Sequence, residues 1–102
     1  MLEIRPNCEL CDKDLAAEAL DACICSYECT FCRECVESVL QNVCPNCGGG
    51  FSPRPIRPSI AHREGVSLAN QVASDTRVNT KRERAEIVEF SESLKDTLPH
   101  KR

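Results

Sequence analysis

Apolar positions recur along this chain in short bursts rather than in one long pattern. Residues Ala22 to Cys25 and Thr30 to Cys32 are two such bursts, close enough together to predict a short hairpin. In the next stretch, Val36, Val39 and Leu40 stand at i, i+3 and i+4, which predicts a helix over 33–41 with Phe31 packed beneath it. Residues 14–21 are alanine-rich and acidic, and suit either one helical turn or a loop. Three glycines, Gly48 to Gly50, are followed by alternating Pro53, Pro55 and Pro58, a combination that breaks both helix and strand. Beyond it, residues 59–79 hold Ser, Asn, Thr and scattered charge, with only short apolar pairs. Helical spacing returns with Ala85, Ile87, Val88, Ser91, Leu94 and Leu98, and Pro99 closes the run. Thr80-Lys81-Arg82-Glu83 has the form of a capping box, in which the Thr hydroxyl and the Glu carboxylate each satisfy a backbone donor, so a helix is expected over about 81–97. The division that follows is a folded module over 1–52, a Pro- and Arg-containing linker over 53–79, and a C-terminal amphipathic helix and tail over 80–102.

Size limits what this arrangement can do. The chain has 102 residues, and only four are aromatic: Tyr27, Phe31, Phe51 and Phe90. A barrel enzyme, a doubly wound sheet and a deep substrate cleft all need more chain. No apolar run approaches the ~20 residues a membrane helix needs, so no membrane partner is expected. The opening residues form no apolar leader, which gives a cytoplasmic expectation and a reducing environment for the thiols. Residues 1–52 carry three basic and nine acidic side chains, a balance of −6, and residues 53–102 carry ten basic and seven acidic, a balance of +3. A phosphate backbone needs a positive face, so nucleic acid is not an expected partner of the module.

All nine cysteines fall between Cys8 and Cys47. Eight form four pairs: Cys8 and Cys11, Cys25 and Cys29, Cys32 and Cys35, Cys44 and Cys47. A two-residue gap lets a tight turn aim two sulfurs at one ion, and two pairs complete a tetrahedron. Only Thr30 and Phe31 separate the second pair from the third, too short a connection for those two to wrap one ion as independent knuckles. Interleaving is the alternative: Cys8, Cys11, Cys32 and Cys35 at one zinc ion, Cys25, Cys29, Cys44 and Cys47 at a second. Both sites would be closed, leaving no position for an activated water. About fifty residues cannot stabilise themselves by apolar burial alone, whereas structural zinc contributes on the order of 10–16 kcal/mol in zinc-finger peptides. The module without metal is therefore expected to be unfolded or molten. Two rival uses of the thiols remain open: an iron–sulfur cluster, because Cys29, Cys32 and Cys35 share part of a ferredoxin spacing, and a disulfide framework. Cys23 stands outside the pairs, either as a small buried side chain or as a spare thiol that replaces a ligand or senses oxidation. His62 and His100, and the acids Glu9, Asp12, Asp14 and Glu18, read as solvated surface.

Over Cys8 to Cys47 the sequence resembles the RING finger family. Leu10 precedes the second ligand, Phe31 precedes Cys32, Val36 follows Cys35, and the last pair reads Cys44-Pro45-Asn46-Cys47, each a feature that family favours. The resemblance implies a small zinc-stabilised α+β module: a cross-brace with two four-cysteine sites, a short hairpin and one helix, followed by a largely irregular or helical extension. It also implies a docking groove lined by Leu10, Val39 and Pro45 for a protein partner. Family members that transfer ubiquitin often have Trp where Val39 stands and a basic residue where Gly48 stands, and the usual fourth-ligand His is Cys29 here. The opening Met1 to Leu15, together with Arg54-Pro55-Ile56-Arg57-Pro58, is similar to a family of small bacterial cysteine-rich proteins known only as a domain of unknown function. The resulting expectation is a two-zinc module for protein–protein interaction with no chemistry of its own. Ubiquitin-ligase-like transfer and thiol-based redox or zinc sensing are the alternatives. The C-terminal helix is expected either to pack on its own module or to serve a homodimer or partner.

Overall fold

The computed structural model describes residues 1–102. Its centre is a three-stranded antiparallel sheet in the order β2-β1-β3, with β1 at Ala22–Ile24, β2 at Thr30–Cys32 and β3 at Ser52–Pro53. The predicted hairpin is present: Cys23 pairs with Phe31 and Ile24 with Thr30. Its turn contains Glu28 at φ 67°, and the Glu28 N–H bonds to the Cys25 carbonyl at 2.9 Å. The third strand was not anticipated. Cys23 also pairs with Pro53, and Pro53 sits where an edge strand tolerates a residue lacking an N–H.

Directly after β2 the chain turns into α1 (Arg33–Cys35), which widens into a π turn at Val36–Leu40. This matches the expected helix except at its end. Gln41 and Asn42 take left-handed conformations, at φ 49° and 61°, and stop the helix at Leu40. Phe31 and Leu40 are fully buried, and Phe31 meets Phe51 edge-on at a centroid distance of 5.4 Å. Together with Leu10, Leu15, Val36, Ile87 and six of the cysteines they form a single core. Residues 14–21 form loop and turn, tied by an isolated bridge between Asn7 and Asp14.

The stretch expected to be a linker folds back along the module instead. Arg54 is buried, and its guanidinium donates to the carbonyls of Arg5 at 2.8 Å and Ala16 at 2.9 Å. Arg57 donates to the carbonyls of Leu2 at 2.7 Å and Gln71 at 2.6 Å. The Ser74 N–H bonds to the Ile4 carbonyl, and Arg77 spans Asp12 and Asp14 at 2.9 and 2.6 Å. Most of these bonds end on backbone carbonyls and the rest on carboxylates, neither of which carries a hydrophobic period for a sequence reading to detect.

The last helix, α2, runs over Arg84–Leu94, shorter than the expected 81–97. The capping box does not form. Thr80 spends its N–H on the Glu9 carbonyl at 2.8 Å, and its hydroxyl accepts the Arg82 N–H at 3.1 Å. With Thr80 pinned to the first cysteine turn, the helix begins four residues later. α2 lies on its own module through Ile87, which is 1 % exposed, and Ser91, whose hydroxyl donates to the Leu40 carbonyl at 2.7 Å. Glu92 and Lys95 make an ion pair at 2.9 Å, and Arg82 Nε donates to Asn46 Oδ1 at 3.2 Å.

Candidate metal centre

Three tight turns present the cysteines. In the first, Asp12 adopts φ 63° and its N–H bonds to the Cys8 carbonyl at 2.9 Å. In the last, Gly48 adopts φ 81° and bonds to the Cys44 carbonyl at 2.7 Å. The residue after the second cysteine thus closes the turn in the same left-handed way at both places, folding each pair so that its two sulfurs point together. The middle pairs ride on the hairpin and on the start of α1: Cys25 follows β1, Cys32 ends β2, and Cys35 ends the first turn of α1.

The sulfurs of Cys8, Cys11, Cys32 and Cys35 all lie within 4.8 Å of one another. The first and third pairs therefore come together, as the interleaved reading expected. Cys11 and Cys32 are 3.8 Å apart, sulfur to sulfur. Cys25, Cys44 and Cys47 form a second group within the same limit. The fourth expected member, Cys29, is not part of that close set. Its thiol lies beside Cys25, and its sulfur accepts an Asn46 Nδ2–H at 3.5 Å. Both groups can hold a metal ion, and sulfur is the only donor element in either.

Backbone donors surround these sulfurs. The Tyr27 N–H reaches Cys25 Sγ at 3.3 Å and the Gly49 N–H reaches Cys47 Sγ at 3.4 Å. Such N–H groups favour the thiolate, and with the neighbouring thiols they outweigh burial at Cys11 and Cys25, whose pKa values are lowered. Elsewhere burial dominates. Burial, followed by the adjoining Cys32 and Cys8, pushes the Cys35 thiol far up, and burial does the same to Cys44. Four thiolates in one small volume repel one another, so a cation is what allows all of them to ionise together.

The other candidate residues fall into place as follows. Cys23 is buried opposite Phe31, and burial raises its pKa, so it packs as a small apolar side chain. His62 and His100 are exposed and belong to neither group. Glu9, expected at the solvated surface, is instead 6 % exposed, accepts from Asn46 Nδ2 at 2.6 Å and lies 3.8 Å from Arg5. Asp12 and Asp14 hold Arg77 rather than facing solvent alone. Leu10, Val39 and Pro45, expected to line an open groove, are covered: Leu10 and Pro45 are buried and Val39 is half-buried. Residues 79–82 bond to Glu9 and Asn46, the neighbours of Leu10 and Pro45, and α2 packs beyond them. Gly48 also acquires a reason. A Cβ there would stand 3.2 Å from Leu94 Cδ1 in a conformation that side chains rarely adopt, so any side chain at this position strains the turn and crowds α2. Asn46, whose side-chain amide joins Glu9 and Cys29, was missed, because nothing in its place between Pro45 and Cys47 marks it as a bridge.

Two sulfur-only clusters on a small sheet-and-helix frame define a cysteine-rich module whose interior is organised around candidate metal sites. No helix is long and apolar enough to cross a membrane. Residues 1–57, more than half of the chain, match a family of proteins of unknown function, DUF1272, and the chain belongs to that family. It is also similar to an uncharacterized protein of Rhizobium meliloti (strain 1021), with 56% identity over 59 residues that cover 58% of this chain and 70% of that protein. No solved structure matches the chain.

Proposed function

We propose that the protein is a zinc-scaffolded interaction module, built as a RING-like cross-brace, in which two zinc ions hold the fold and perform no reaction. The observation that carries this reading is the convergence of Cys8, Cys11, Cys32 and Cys35 from two separated segments. Zinc–sulfur bonds of about 2.3 Å at tetrahedral angles put the sulfurs roughly 3.8 Å apart. The separation of Cys11 and Cys32 is 3.8 Å. A cage of four sulfurs has no open position, so the metal is structural. Cys29 completes the second site by a small side-chain adjustment next to Cys25. A partner is recognised by the surface that the metals hold rigid, and the cytoplasm is the compartment in which these thiols stay reduced.

Metal identification combined with native intact mass tests the reading. Two zinc ions per chain, lost together with tertiary structure on chelation, are expected. Iron with inorganic sulfide, or a chain that stays folded after chelation, would overturn it. A second reading, zinc or redox sensing, draws support from the exposure of one ligand in each group, Cys11 and Cys47. Under that reading mild peroxide releases zinc within minutes and reductant restores it. Retention of both ions through the same treatment would count against it.

A further inference from the structure

The face built by the two outer cysteine turns and the π turn is covered by a segment that starts 21 residues past the family match. Asn7 Nδ2 donates to the Val78 carbonyl at 2.9 Å, and the Thr80 N–H donates to the Glu9 carbonyl at 2.8 Å. Arg82 Nε then reaches Asn46 Oδ1 at 3.2 Å, crossing from the first cysteine turn to the last. Ile87 enters the core, Ser91 bonds to the Leu40 carbonyl, and Phe90 and Leu94 lie over Gly48. Ile87, Phe90, Ser91 and Leu94 are the i, i+3, i+4 and i+7 positions of one helix face, the spacing with which a helix occupies a groove.

We infer that residues 78–94 are a cis-acting lid, an amphipathic helical ligand supplied by the chain itself that closes the partner face of the zinc module. The inference rests on the interaction reading above. Three features set the segment apart from the module it closes, although its Ile87 reaches the core. It lies wholly outside residues 1–57. Only Ile87 and Ser91 of α2 are buried. Its eleven helical residues are too few to hold a helix in water without the face beneath. A partner that uses this face presents a similar helix and displaces the lid.

The test uses the full-length zinc-loaded chain. Ile87→Glu places a carboxylate in the core position and releases α2, which hydrogen exchange over 84–94 reads directly. Leu94→Glu is the milder second variant. A fluorescent peptide with the sequence of residues 78–98 is then titrated into each protein. Saturable binding is expected to a variant with its lid released, and at least about tenfold weaker binding to the unaltered chain, whose own segment competes at high effective concentration. A peptide carrying Ile87→Glu is expected not to bind. The lid is overturned if α2 stays protected in both variants, if released variants ignore the peptide, or if both variants lose zinc as the helix detaches. A chain that holds two zinc ions but fails these tests loses the lid and keeps the scaffold. A chain without zinc loses the scaffold first.

Discussion

Arg54 offers the sharpest test of how the chain beyond the glycines supports the first cysteine turn. Its guanidinium is buried, and burial pulls its pKa below the ordinary arginine value. No carboxylate touches it; two backbone carbonyls, those of Arg5 and Ala16, take its hydrogen bonds at 2.8 and 2.9 Å. These carbonyls flank the turn that carries Cys8 and Cys11, so the fork clamps both sides of it. A hydrogen bond from a charged donor contributes about 1.5–3 kcal/mol, so two such bonds amount to roughly 3–6 kcal/mol before offsets. Those values are already net of the exchange with water, and freezing the long side chain offsets about 2 kcal/mol of them. Arg54→Ala should therefore destabilise the metal-loaded protein by about 2–3 kcal/mol, leaving two carbonyls short of partners. Arg54→Lys should recover less than half of that, because one ammonium cannot reproduce a planar fork. Urea denaturation at a fixed buffered concentration of free zinc reads the difference as a fall in midpoint of about 1–2 M for a chain of this size. An Arg54→Ala midpoint within 0.2 M of the unaltered protein would refute the clamp.

Further outcomes follow from the same geometry. Cys35→Ser should remove one metal per chain and unfold the module, as seen by metal content and near-ultraviolet circular dichroism. Cys29→Ser should weaken only the second site, because its sulfur lies at the margin of that group. Gly48→Ala should cost about 1–2 kcal/mol, from a left-handed backbone at φ 81° and crowding against Leu94, measured by the same urea titration. Acid should release the metals. Every ligand must lose a proton to bind, so protons compete with zinc for each sulfur, and burial raises the Cys35 and Cys44 thiols further in that direction. The stability contributed by metal is therefore present at neutral and higher pH and lost as pH falls; a chelation-indicator titration that shows tighter retention at pH 5 than at pH 8 would contradict this.

The local parts of this structure are legible in the sequence. The short Thr30-Phe31 spacer excluded sequential pairing, and Cys8, Cys11, Cys32 and Cys35 do converge. The hairpin and the helix after Cys32 announced themselves through local spacing, and each is local in the fold. What stayed hidden depends on contacts across the chain. Asn7 meets Val78 and Arg54 meets Arg5 through polar groups and carbonyls, and no periodicity records such a bond. The capping box over 80–83 was a sound local signal that a tertiary bond overrode, since Thr80 gives its N–H to Glu9. Glu9 looked solvated because charge is usually outside; Asn46 and Arg5, which hold it beneath the surface, are distant from it or carry no mark of the role. At the docking groove foreseen over Leu10, Val39 and Pro45, Leu10 and Pro45 are buried, and their neighbours Glu9 and Asn46 are bonded by Asn79 and Arg82 from far along the chain.

Native mass spectrometry of the intact chain, paired with elemental analysis, bears most directly on the claim that sulfur-bound metal substitutes for an apolar interior. The account predicts a mass excess of two zinc ions, no inorganic sulfide, and collapse of the folded charge-state distribution once a strong chelator strips both. A compact ion at the bare polypeptide mass after stripping, or iron in place of zinc, would contradict it.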